Sequence, residues 1–262
     1  MRCCSVSYRR PEYGLFVAGS DTGVGKTFVA AAIATALREN GTRVGVYKPV
    51  VSGCRVQQGV AVDGDAVELW LAAGRPLTPA AVSPQAFQAA LAPHLAARLE
   101  GREVDPDRLR SGVEAWHDHC DLLLVEGAGG LLSPCSDEDF VADLAIDLGY
   151  PVLLIVPNRL GCINQALQAV FVAQHYRTGL SVAGIVLNDL LAPPAEDKAG
   201  GAVGESNGSA PPTDSTVPEA DISCAANLPE LARLAPVPVL CHVPHGQGNA
   251  VAAVDWWQLA RG

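Results

Sequence analysis

Lysine is nearly missing from this 262-residue chain, where three lysines stand against 15 arginines. Wherever a generic surface cation suffices, the chain carries arginine. The remaining lysines are therefore candidates for work that a compact, three-donor ammonium does better than a planar guanidinium. Lys198 lies in a polar tract, whereas Lys26 and Lys48 stand at the ends of apolar runs, where α/β proteins place their chemistry. Positive charge is short overall. With 18 basic and 28 acidic side chains the formal net charge is −10, which argues against nucleic acid as a partner. No apolar run approaches the roughly 20 residues needed to cross a bilayer, so no membrane passage is expected. Residues 1–13 lack the apolar h-region of a secretory signal and read as an N-terminal extension. The eight cysteines lack the regular spacing of a disulfide framework and fit the reduced thiols of a cytoplasmic protein. No internal repeat is visible.

What is present is the composition of a globular protein with a sizeable core, 49% hydrophobic and 18% charged. Short apolar runs at 15–18, 44–47, 122–125, 152–156, 182–187 and 237–240 read as buried strands. Between them, 26–39, 140–148 and 163–176 read as helices, and the stretch between the 44–47 and 122–125 strands as a mixed helical region. Strands apolar on both faces and separated by helices predict an α/β fold, a parallel β-sheet flanked by helices on both faces. A single domain over 14–262 is expected. Residues 195–225 interrupt the pattern with Gly, Ser, Pro and six carboxylates against Lys198 alone. That tract carries half of the net charge and is predicted to be a disordered surface insert.

The segment Gly19-Ser20-Asp21-Thr22-Gly23-Val24-Gly25-Lys26-Thr27 joins the first strand to the first helix. Successive backbone N–H groups in such a turn, with a helix N-terminus behind them, form a nest for phosphate oxygens. Lys26 is placed to reach the outer phosphates, and the Thr27 hydroxyl to bind Mg²⁺. The loop departs from the strict phosphate-loop pattern, because Ser20 stands where its first glycine belongs and Gly19 is one place early. Mg²⁺ on a triphosphate also wants carboxylates. Glu126 is expected at the carboxyl end of a buried strand, before Gly127-Ala128-Gly129-Gly130, where an acid is costly unless it serves an ion or a partner. Asp65 reads equally as a helix N-cap or as a second acidic ligand.

The whole set resembles the dethiobiotin synthetases, ATP-dependent ligases of biotin synthesis with a P-loop NTPase-like fold. The resemblance is carried by the 20–27 loop, Tyr47-Lys48-Pro49-Val50-Val51-Ser52-Gly53, Asp65-Ala66 and Pro93-His94. It continues in Val125-Glu126-Gly127-Ala128-Gly129-Gly130, Leu160-Gly161-Cys162-Ile163-Asn164 and Asn188-Asp189. It implies carboxylation and ring closure of 7,8-diaminononanoate with CO₂, Mg²⁺ and ATP. By the same match Lys26 and Lys48 are catalytic, and Thr22 and Ser52 bind the reacting groups. Gly23, Val24, Gly25, Lys26, Thr27, Glu126, Gly127 and Asn188 bind nucleotide, and Thr27, Asp65 and Glu126 hold the metal. The resemblance also implies a homodimer in which Gly161, Cys162, Ile163 and Asn164 receive the substrate carboxylate across the interface. Cys241 stands where the family usually has glycine. A partition-type nucleotide switch is the alternative, and it would carry an extra lysine where Ser20-Asp21 stands. His117-Asp118-His119-Cys120 is a further arrangement of metal-ligand residue types.

Overall fold

The computed structural model describes residues 8–57, 60–192 and 221–262. Most of the acidic tract expected at 195–225, including Lys198, and residues 1–7 of the expected extension lie outside these residues. The end of the tract departs from the expectation of disorder. Asp221 takes the Leu160 N–H at 2.7 Å, and a helix begins at Cys224.

The chain opens with β1 (Tyr13–Gly19), α1 (Lys26–Glu39) and β2 (Val44–Tyr47). The region read only as mixed helical resolves into short pieces: β3 (Val50–Val51), β4 (Arg55–Gln57), β5 (Val60–Val62), α2 (Gly64–Ala72), α3 (Pro79–Val82), β6 (Gln85–Ala86), α4 (Pro93–Leu99) and α5 (Pro106–Ser111). Then follow β7 (Leu122–Gly130), α6 (Val141–Leu148), β8 (Val152–Pro157), α7 (Cys162–His175), β9 (Val182–Asn188), α8 (Cys224–Leu234), β10 (Val239–Val243) and α9 (Trp256–Arg261). Trp256 and Trp257 open this last helix.

Six strands form one sheet in the order β10-β9-β8-β1-β7-β2, every neighbouring pair parallel. Leu15, Phe16, Val17 and Ala18 of β1 are all 0% exposed. A strand hidden along its length has both faces covered, which explains why these runs are continuously apolar rather than alternating. Because β1 lies between β8 and β7, its carboxyl end is flanked by strands leading away in both directions, the crevice where open α/β sheets hold ligands.

Two extents differ from the sequence reading in ways that matter. The strand expected to close at Val125 continues to Gly130. Val17 pairs with Glu126 and Gly19 with Gly130, so the register slips between them and residues 127–129 bulge from the ladder. A glycine run that resembles a loop is here an irregular strand end lying against the phosphate loop. The last sheet strand is Val239–Val243 rather than 237–240, which brings Cys241 and His242 into the ladder beside Val186 and Leu187.

Candidate functional site

A cavity of about 790 Å³ opens at the carboxyl end of β1, β2 and β7. The phosphate loop forms one wall. Gly25 caps α1 with φ +84°, and no side chain bonds to the helix start, so the first N–H groups of α1 remain available to an anion. A Cβ at Gly25 would collide with Asn188 Nδ2, so the left-handed backbone and the close packing both require glycine.

Lys26 is 8% exposed and donates to the Asp21 carbonyl at 3.2 Å, which aims its ammonium across the loop. Burial is the main influence on it and lowers its pKa below the ordinary lysine value. Thr22, Gly23, Gly25, Lys26 and Thr27 all line the cavity, whereas Val24 is fully buried beneath it. Asn188, at the end of β9, donates from Nδ2 to the Val24 carbonyl at 3.0 Å. Its Oδ1 is buried without a partner among the described residues.

Lys48 follows β2 directly. Its backbone N–H is held by the Val82 carbonyl at 2.8 Å, and the neighbouring Tyr47 hydroxyl donates to the Arg108 and Leu109 carbonyls at 3.0 Å each. Thus anchored, the Lys48 side chain reaches Glu126 Oε1 at 3.0 Å, Thr27 Oγ1 at 3.3 Å and Asp65 Oδ2 in direct contact. Burial would lower its pKa, but Glu126 and Asp65 outweigh that and raise it above the ordinary lysine range. Burial likewise raises the Asp65 carboxyl, and Lys48 overcomes it, so the net shift is downward. Thr27 Oγ1 lies 2.9 Å from Glu126 Oε1 and 3.1 Å from Asp65 Oδ2. Asp65 is not the cap of α2. That role belongs to Asp63, which accepts the Ala66 N–H at 3.0 Å and leaves Asp65 in the first turn, free for the cavity.

Glu126 is 2% exposed, and its Oε2 has no hydrogen-bond partner among the described residues. An orphaned carboxylate oxygen, a second carboxylate and a hydroxyl form the hard oxygen set that a divalent cation takes. The residues present therefore fit Mg²⁺.

Ser52 lines the cavity and donates to the Leu91 carbonyl at 2.6 Å, while Gly127 forms part of the floor. Two lining carboxylates were missed in the sequence reading, Asp63 and Glu68, and burial is the leading cause raising both. Glu68 falls three residues after Asp65 on α2, so helical spacing alone would have found it.

Gly161, Cys162, Ile163 and Asn164 do not line this cavity. They start α7, with Gly161 at φ +89° and no side-chain cap. The Cys162 N–H already donates to the Arg159 carbonyl at 3.1 Å, so the open donors of this turn begin after it. His117 Nδ1 pairs with the Arg10 carbonyl at 3.0 Å, and among the described residues no group of three metal-ligand side chains includes it.

A family model described as an AAA domain matches residues 13–248. The ATP-dependent dethiobiotin synthetase of Rhodopirellula baltica is 44% identical over 184 residues, 66% of this chain and 71% of that protein. The enzyme of the same name from Caulobacter vibrioides is 42% identical over 186 residues, 70% of this chain and 83% of its own. Among solved structures, a ParA family ATPase from Chlorobium tepidum shares the fold at TM-score 0.50 and 13% identity, over 90% of this chain and 86% of that one.

Proposed function

Because the chain belongs to the family of ATP-dependent dethiobiotin synthetases, we propose that the Lys26–Lys48 cavity carboxylates and cyclises 7,8-diaminononanoate with CO₂ and ATP. The product is dethiobiotin, in biotin biosynthesis. One substrate amine adds to CO₂ and loses a proton, giving a carbamate. A carbamate oxygen attacks the γ-phosphorus and ADP leaves. The second amine attacks the carbonyl carbon, phosphate departs, and the ureido ring closes.

The convergence of Thr27, Lys48, Asp65 and Glu126 beside the phosphate loop carries this reading. A carbamate meeting a triphosphate brings anion to anion, so the residues' task is to position and to offset charge. Lys26 faces the outer phosphates from the loop, and Lys48 stands at the opposite side of the same space. The Thr22 and Ser52 hydroxyls orient the reacting groups, the Asn188 amide offers its unpartnered oxygen to the base, and the loop N–H groups hold phosphate. Thr27, Asp65 and Glu126 would hold Mg²⁺, which when bound would offset the negative charge of the phosphates.

The working unit is a homodimer in the cytoplasm. The 161–164 turn lies outside its own chain's cavity, with exposed Leu160 just before that turn's helix and exposed Phe171 on it. A second chain would bring the turn to the substrate carboxylate. The test is phosphate release by the purified protein with MgATP. Release that requires both diaminononanoate and bicarbonate supports the synthetase, and equal release without them would favour a nucleotide switch.

A further inference from the structure

The three side chains suited to a divalent cation already share a cation, and it belongs to the protein. Lys48 Nζ touches Asp65 Oδ2 and lies 3.0 Å from Glu126 Oε1 and 3.3 Å from Thr27 Oγ1. An ammonium has three N–H donors, and these three contacts use the whole complement. The Lys48 and Glu126 side chains are 9% and 3% exposed, so water screens their attraction little. The charge match is nevertheless incomplete. One positive charge faces two carboxylates, and Glu126 Oε2 stays buried with no partner among the described residues.

We propose that Lys48 is a resident counter-ion: in the metal-free protein its ammonium holds the cation position, and it yields that position to the divalent ion, turning into the cavity to meet phosphate. This rests on the reading above that Thr27, Asp65 and Glu126 hold Mg²⁺. The backbone permits the exchange without rearrangement. Lys48 N is fixed to the Val82 carbonyl, while the ammonium sits on a flexible four-carbon stem lining the cavity. Glu126 is fixed in β7 and Asp65 in α2, so the ligand set stays in place as its occupant changes. Metal entry by itself evicts the ammonium from its three partners without supplying a new one. Metal entry with a triphosphate gives that ammonium a new partner. The two ligands are therefore positively coupled through one side chain, and free metal binds poorly.

The test is Mn²⁺ binding to the full chain, read as free Mn²⁺ by electron paramagnetic resonance, with and without a non-hydrolysable ATP analogue. Without nucleotide, Lys48→Met should bind Mn²⁺ at least about tenfold more tightly than the wild type, because its competitor is gone. Lys48→Arg, which keeps the charge, should not gain affinity. Lys48→Met should also melt lower than the wild type in chelator and recover when Mn²⁺ is added. If the variant folds only with metal, the recovery itself reports the exchange. Equal or weaker Mn²⁺ binding by Lys48→Met overturns the proposal, even where the wild type binds Mn²⁺ with the analogue in an Asp65-dependent way. If Asp65→Asn leaves Mn²⁺ binding with the analogue unchanged, the metal reading itself fails.

Discussion

At the scale of single residues, the two cavity lysines differ in what surrounds them. Burial is the largest influence on both and prevails at Lys26, which is lowered, whereas at Lys48 Glu126 and Asp65 together overcome it and raise the pKa. Lys48→Arg should keep ATP binding within about a factor of three, yet lower kcat roughly a hundredfold, because a broad guanidinium cannot replace a compact ammonium between carbamate and γ-phosphate. Steady-state kinetics with separate ATP and diamine titrations check this, and near-normal kcat would reduce Lys48 to a strand-end cation. The cysteines give a second outcome. Cys120 and Cys135 are 5% and 1% exposed, and burial pushes both thiols up to about 12. At pH 8 they should resist alkylation in the native protein and react fully in denaturant, as mapped by mass spectrometry. Both lysines were legible in the sequence because so few others exist. Glu68 was less legible because it lies beyond the Asp65-Ala66 motif, one helical turn further along α2. The detailed state of Cys162 was not legible either, since the bond from its N–H to Arg159 depends on a turn geometry that no spacing encodes.

At the scale of elements, α1 and its loop are pinned from below by β9. Gly25→Ala would force a side chain onto Asn188 and hold a non-glycine residue at φ +84°. The strain is on the order of 1–3 kcal/mol, and nucleotide affinity should fall by at least about tenfold. Calorimetric ATP-analogue titration tests it, and unchanged affinity would show that the loop relaxes freely. A second joint sits behind the site. Arg110 of α5 bonds Asp139 at 2.9 Å and Asp147 of α6 at 2.6 Å, with the Arg110 and Asp139 side chains 5% and 7% exposed. Arg110→Met would leave Asp139 buried without its cation and should cost about 3–5 kcal/mol in denaturant unfolding. A loss under about 1 kcal/mol would mean that Ser136 and the other groups around Asp139 hold its charge without Arg110. Long strands and helices were legible here because their apolar pattern is local. The 50–86 region was not. Val50 and Val51 pair with Gln85 and Ala86 across the chain, a register that short runs cannot announce. The extension of β7 was hidden for a related reason, since its glycines carry no strand preference and owe their place to Gly19 and to the bulge.

At the scale of the whole molecule, the sheet order follows from the succession of buried strands only in part. That β1 is central is a matter of crossovers, which the linear pattern leaves open, yet it is what gathers Lys26, Lys48 and Glu126 at one end. The shared-site expectation belongs to this scale. A Lys48→Ala chain mixed with a chain lacking the 161–164 turn should regain about one functional site per heterodimer. Mixtures that stay as inactive as their parents, with heterodimers demonstrated, would place the whole site within one chain. Whether the cavity builds a ureido ring from a diamine and CO₂ is read from the fate of isotope-labelled bicarbonate supplied with diaminononanoate and MgATP. One labelled carbon should enter dethiobiotin for each ADP formed, and Lys26→Ala and Lys48→Arg should lose this incorporation. ADP formation without label in the product, or the same turnover without diaminononanoate, would contradict the proposed function.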